Sequence, residues 1–403
     1  MTEAGAELAT ERPALHLSRS VVGATDADRA LRDLLRAAYQ RHGVVPARAL
    51  TLIVPVAAER LGTVRERLRA LGTNHPSRVV LLVVGGNGDV AQTVEVASDG
   101  AWDAPLVTLR ELVQLRVRER DRVASVAAPL VVSGVPTAVW PVGVDDEWVA
   151  ALAGLCEAVL IDSAGHASLS HALERAWRLS LAAHVVDLEW LRSEPWRLRV
   201  AELFDPPRRR AELWRIEQVR VRHAPGSRAS ALLFAGWLAS RLGWDLREGA
   251  GEGGASTAAD GSAPTLDERR LADGCAARQQ RERDARTRPL VGRDVRVITE
   301  EVGTLGVPGL AGVAVQSAGS EIALERGRGG LVCRLRSGGG ERVSVAVGAS
   351  RGERGILAEA LREALLRDPT YRPALQAAVC LAEVAEVAGG PGSAGGSAEA
   401  GGQ

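Results

Sequence analysis

Lysine is missing from this 403-residue chain: all 50 basic residues are arginine, matched by 50 acidic residues for a formal net charge of zero. Without an ε-amine, Schiff-base chemistry and a phosphate-loop lysine are excluded. The even charge lacks the basic surplus with which a nucleic-acid binder neutralises phosphates, so no nucleic-acid partner is expected. Cysteine is scarce and scattered at Cys156, Cys275, Cys333 and Cys380, with no C-x-x-C pair to form a zinc knuckle or dithiol. That usage suits a reducing compartment. The N-terminus is acidic and has no apolar export core, and no stretch of about 18 apolar residues is present. The expectation is a cytoplasmic protein that neither binds nor crosses a membrane.

What remains is enough for two domains and a substantial core. Residues 1–20 read as disordered. Thr25 or Asp26 then caps a helix with a Leu31, Leu34, Leu35, Ala38 stripe that ends at Gly43. Apolar runs at 49–56 and 78–84, joined by a helix carrying Leu61, Val64, Leu68 and Leu71, read as a right-handed βαβ unit. Further strands are expected at 93–97, 111–117, 137–140 and 158–161, with a helix near 120–127. The fold class is an α/β N-terminal domain, 21–165, with a mostly parallel sheet. It is followed by an α+β C-terminal domain, 166–388, with a meander-like sheet and flanking helices. Within the latter, helices at 168–180, 227–242, 354–367 and 371–388 accompany strands at 213–222, 294–299, 312–315, 321–325, 331–335 and 343–347. The strand at 213–222 alternates imperfectly, which suggests a bulge. A Gly/Ala/Ser-rich and then charged segment, 249–288, reads as a flexible linker insertion, and 389–403 as a disordered tail.

Three local motifs invite chemistry. Gly86–Ala91 fits G-x-G-x-x-A after a strand, but a β run at Thr93–Val96 follows where a dinucleotide site needs a helix, so the glycines read as a strand-joining turn. Asp162, Ser163 and His166 have hydrolase residue types without a nucleophile elbow. His166, His171 and Glu174 lack the spacing of a metal site. No catalytic, cofactor-binding or metal-binding residues are therefore assigned, and no cofactor is implied. Pro206–Arg210 reads as a solvated basic loop, with a phosphate or acidic partner patch as its functional alternative.

Six of the nine tryptophans fall between Trp177 and Trp244. The segment 185–207, VVDLEWLRSEPWRLRVAELFDPP, combines this density with a helix start: Ser193 as N-cap and Pro195 in the first turn. Trp196, Val200, Leu203 and Phe204 then share one face, and Asp205-Pro206-Pro207 stops the helix. Tryptophan and arginine are enriched at binding hot spots, so Trp190, Arg192, Trp196 and Arg197 are expected to support or form a partner-binding surface, while Trp237 is core.

The run Asp187-Leu188-Glu189-Trp190-Leu191-Arg192-Ser193-Glu194-Pro195-Trp196-Arg197 resembles the D-L-x-W-x-R-x-x-P-W-R signature of the OpcA family, the glucose-6-phosphate dehydrogenase assembly proteins. His75-Pro76-Ser77-Arg78-Val79-Val80 and the stretch 129–141, ending VPTAVWP, are similar to two further family segments. Gly134 and Val135 depart from the family's approach to the proline, and a single Trp140 stands where a pair is common. The resemblance implies a non-catalytic assembly factor or allosteric activator that binds glucose-6-phosphate dehydrogenase and supports its active oligomer in the oxidative pentose phosphate pathway. The alternatives are a sugar-phosphate or NADP-dependent enzyme with a site assembled from distant residues, and a structural module that binds nucleotide for regulation.

Overall fold

A computed structural model of the chain describes residues 15–71, 77–86, 90–98, 109–164, 166, 168–244, 295–303, 305–328, 330–347 and 352–388. The expected linker at 249–288, the tail at 389–403 and the centre of the glycine turn at 87–89 lie outside them. The chain forms two compact units. The first is drawn from Met1–Asp162, Arg178–Leu191 and Arg351–Asp368, the second from Ser163–Trp177, Arg192–Ser350 and Pro369–Gln403.

The first unit is built on β1 (His16–Ser20), β2 (Leu50–Ala57), β3 (Ser77–Val84), β4 (Thr93–Ser98), β5 (Leu109–Val117), β6 (Thr137–Val139), β7 (Ala158–Ile161) and β8 (His184–Asp187). They form one sheet in the order β1-β4-β5-β3-β2-β6-β7-β8. Five of its pairings are parallel and two, β1 with β4 and β4 with β5, are antiparallel. Strand β2 is buried along its whole length, as its unbroken apolar run requires of a strand covered on both faces. Helix α1 (Gly23–His42) lays Ala27, Ala30, Leu31 and Ala38 into a core with Ile53, Val80, Val113 and Trp148. Its end is Gly43 at φ 69, whose N–H reaches the Tyr39 carbonyl. At its start the backbone N–H of Val22 donates to the Asp26 carboxylate at 2.9 Å.

Helices α2 (Leu61–Leu71), α3 (Val123–Ala127) and α4 (Asp146–Leu152) complete this portion. Three short elements depart from the sequence reading. His16–Ser20 is a strand inside a segment expected to be disordered, because its backbone pairs with β4 although HLSRS offers little apolar surface. Helix α4 is capped by Asp145, whose side chain accepts from the Glu147 and Trp148 amides. Strand β8 extends the parallel sheet beyond the expected boundary at 165, pairing with β7.

Helix α5 (Leu169–Ala182) precedes β8, and helix α6 (Leu188–Phe204) follows it; both continue from one unit into the other. In the second unit α7 (Pro207–Leu213), β9 (Ile216–His223), α8 (Arg228–Leu242) and β10 (Arg296–Glu301) lead into a meander of β11 (Leu310–Ser317), β12 (Ser320–Gly327), β13 (Gly330–Ser337) and β14 (Gly340–Val347). The sheet order is β10-β9-β11-β12-β13-β14, and the parallel β9–β10 pair makes it mixed. The expected bulge is present as register shifts between β9 and β11. Helix α9 (Glu353–Glu363) returns to the first unit, and α10 (Tyr371–Ala388) packs on α8. That packing needs a glycine. A Cβ on Gly236 would lie 2.3 Å from the Ala374 carbonyl oxygen and 2.8 Å from the Ala378 nitrogen.

Candidate functional site

The tryptophan–arginine segment occupies helix α6, and the helix starts earlier than its sequence suggests. Asp187 accepts from the Glu189 amide at 3.0 Å, so the helix begins at Leu188 and Pro195 sits in its interior. Ser193 is therefore not the cap. The Ser-x-Pro spelling imitates a helix start, but an aspartate at a strand end, six residues earlier, supplies the acceptor the first turn needs. Pro195 has no amide hydrogen for the Leu191 carbonyl, a local loss the helix tolerates.

All four expected partner-binding side chains are buried: Trp190 is 3%, Arg192 6%, Trp196 1% and Arg197 7% exposed. Asp187, Glu189 and Ser193 of the same segment are fully buried as well. Each unit holds its own share. In the first unit the indole N–H of Trp190 donates to the Asp368 carboxylate at 2.9 Å. There, too, His184 Nε2 lies 2.9 Å from the Glu363 carbonyl oxygen and 3.1 Å from that of Leu366, meeting carbonyls that the end of α9 leaves without helical partners.

In the second unit Trp196 packs with Val200, Phe204, Phe234 and Leu238 against the inner face of the sheet. The Arg326 guanidinium stands 5.7 Å from the Trp196 ring centroid, and its Nε donates to the Leu310 carbonyl at 2.6 Å. Burial depresses the Arg326 pKa below the usual arginine value. Arg192 runs beside Gly309, which has φ +99 and where a Cβ would come within 3.2 Å of Arg192 Cβ. Gly309 is held in turn by the Ser227 hydroxyl, which accepts its amide hydrogen at 2.9 Å. Ser227, expected only as the start of α8, thus fixes the loop that meets Arg192.

Residues this deeply buried support a surface rather than present one. The large apolar side chains that are exposed nearby in sequence are Leu198 on α6, at 56%, and Trp214 after α7, at 50%. Helical periodicity marks Leu198 as lying off the Trp196 face, a signal available from the sequence but overshadowed by the tryptophans. Trp237, expected as core, is partly buried and packs against the second unit's core, tilted against Phe234.

The basic run is not a loop. Pro207 opens α7, Arg209 Nη1 donates to the Leu203 carbonyl in the last turn of α6 at 2.8 Å, and Arg210 approaches Asp205 at 3.9 Å. Cationic side chains there suit the negative end of α6. The other chemical motifs stay apart. Among the described residues no group of three or more His, Cys, Asp or Glu could hold a metal ion. The Thr93–Ser98 strand follows the glycine turn, as the β reading of that segment expects. Burial and the neighbouring Glu157 charge push the Cys156 thiol up to about 11, so it stays protonated at neutral pH. No described helix is long and apolar enough to cross a membrane.

A mostly parallel α/β unit, a mixed-sheet unit and a helix that buries a Trp/Arg signature define the class of protein. Residues 183–375 match the family described as the C-terminal domain of the glucose-6-phosphate dehydrogenase subunit, and the chain belongs to this OpcA family. A "Putative OxPP cycle protein OpcA" of Synechococcus elongatus is 30% identical over 191 residues, 43% of this chain and 41% of the relative. Its counterpart in Nostoc punctiforme is 35% identical over 128 residues, 31% of this chain and 28% of the relative. The matches thus span less than half the length of these relatives.

Among solved structures, KijD10, a 3-ketoreductase from Actinomadura kijaniata in complex with NADP and TDP-benzene, aligns with TM-score 0.40 and 10% identity over 84% of this chain and 96% of that one. UDP-N-acetylglucosamine 3-dehydrogenase GnnA from Acidithiobacillus ferrooxidans aligns with TM-score 0.39 and 12% identity over 84% and 97%. Likeness at that level carries no argument about function.

Proposed function

We propose that this protein is a non-catalytic partner of glucose-6-phosphate dehydrogenase that supports the enzyme's active oligomer in the oxidative pentose phosphate pathway. The observation that carries the reading is the match of residues 183–375 to a family described as a subunit of that dehydrogenase, since the matched span contains the whole of α6 and the second sheet. In this reading Trp190, Arg192, Trp196 and Arg197 act from below. They hold α6 rigid, and the exposed side of the helix and the adjoining Trp214 meet the enzyme. A partner of this kind acts by binding the active oligomer more tightly than the inactive form, and it shifts the population by that difference in affinity.

The test titrates the protein into the dehydrogenase while oligomer size is followed by sedimentation and activity by NADPH formation. The full chain should co-sediment and raise activity at subsaturating concentration. Glucose 6-phosphate and NADP without the dehydrogenase should give no turnover, and turnover there would favour the enzyme alternative. Leu198→Ser and Trp214→Ala should weaken association by about tenfold or more while leaving the melting transition in place. Arg197→Ala is a poor probe of docking. Removing a buried guanidinium costs stability, so its effect on binding could not be separated from its effect on the fold.

A further inference from the structure

The first unit contains a cavity of about 330 Å³ between α2 and strands β3–β5, at the lower end of the size range of small-molecule sites. Its wall has an apolar part, from Leu68, Val79 and Leu112, and a charged part with Arg65, Arg69 and Glu95. The charged part is preset. Arg65 donates from Nη1 to the Gln114 side-chain oxygen at 2.6 Å and from Nη2 to Glu95 at 2.7 Å, and the Gln114 amide donates onward to the Ala91 carbonyl at 2.7 Å.

The carboxylates of this wall are already answered. Glu111, whose side chain is 1% exposed, is held by Arg48 at 2.5 Å and Arg78 at 2.7 Å, and Glu95 is approached by His16 at 3.9 Å besides Arg65. Even without Arg110, the arginines Arg48, Arg65, Arg69 and Arg78 face the glutamates Glu95 and Glu111, four positive charges against two negative. A cationic surplus beside an apolar wall attracts an anion that also has apolar surface to bury, and guanidinium forks match the geometry of phosphate and carboxylate oxygens.

We propose that this cavity binds a small organic anion, with its phosphate or carboxylate group against the Arg65–Arg69 side and an apolar body on Leu68, Val79 and Leu112. This site is independent of the proposed partner, lies outside the matched span 183–375, and would make the first unit the ligand-sensing part of the protein.

Calorimetry on the full chain tests it with three probes: phenyl phosphate, which has both parts, inorganic phosphate, which has only the head, and benzyl alcohol, which has only the body. Phenyl phosphate should saturate one site and bind about tenfold or more tighter than either fragment. Arg69→Glu, at an exposed position that the fold does not need, should weaken it by about tenfold with an unchanged melting transition. Ala97→Leu, which narrows the cavity, should do the same. No saturation by about 10 mM phenyl phosphate, equal affinity for inorganic phosphate, or undiminished binding to Arg69→Glu would each overturn the proposal.

Discussion

The two sheets use strands in opposite ways. In the first unit β2 and β7 are apolar and buried residue after residue, whereas in the second unit β12 and β13 alternate between buried and half-exposed positions. The inward set of the second sheet, Val313, Val315, Ile322, Leu324, Leu331 and Cys333, belongs to the Trp196 core. The outward set carries ion pairs: Arg220 with Glu300, Arg222 with Glu325, and Arg336 with both Glu321 and Glu341. Gly312 makes one of these possible. A Cβ there would lie 2.5 Å from the Arg222 guanidinium, which passes over the glycine to reach Glu325 at 2.7 Å. A parallel sheet covered on both faces thus gains from burial throughout, while the meander divides its residues between a core and a polar face.

That division predicts a hierarchy of mutational effects. The largest belongs to Gly236→Val, because any side chain drives into the backbone of α10. The expected loss is about 3 kcal/mol or more, read by urea denaturation, with hydrogen exchange collapsing in β9–β14 while amides of β2 and β3 stay protected. Loss of protection across both sheets at once would show that the units do not respond separately. Trp190→Phe in the first unit keeps most of the buried ring but removes the hydrogen bond to Asp368. Stability should fall by about 1–2 kcal/mol, and a change within experimental error would mean that the indole N–H is unimportant there. Smallest is Arg222→Ala on the polar face of the meander, where a half-exposed pair is worth about 0.5 kcal/mol. A melting shift as large as that of Trp190→Phe would remove the distinction between the two faces.

Legibility in the sequence follows the same physics. Long elements with a clear period were readable to within a residue or two: α2 from Leu61, Val64, Leu68 and Leu71, β3 from RVVLLVV, and α8 with its close-approach glycine. Elements held by pairing or capping rather than by their own pattern were not. Strand β1 depends on β4 for its partner, β8 has four residues, and α4 is announced by little beyond Asp145. The signature helix was recognised but misaligned, since Ser193 and Pro195 spell a start that Asp187 pre-empts. Its burial was hidden for a different reason. Periodicity assigns Arg192 and Arg197 to faces but cannot say that a charged face is covered, and the only hint was the supply of Asp187 and Glu189 in the same short run.

The return of α9 to the first unit has a consequence for biosynthesis. Helix α9 packs against α2 and β8, and its last turn is where His184 meets the Glu363 and Leu366 carbonyls. On the ribosome, β8 emerges well before α9, because the whole span Arg192–Ser350 is made between them. At about 5–20 residues per second that interval lasts on the order of 10–30 s, during which the parallel sheet exists without its closing helix. The nascent first unit therefore carries an uncovered apolar patch until the meander has been translated. Chains stalled or truncated before Gly352 should be substrates for chaperones, and completion of the first-made sheet is timed by the last-made helices.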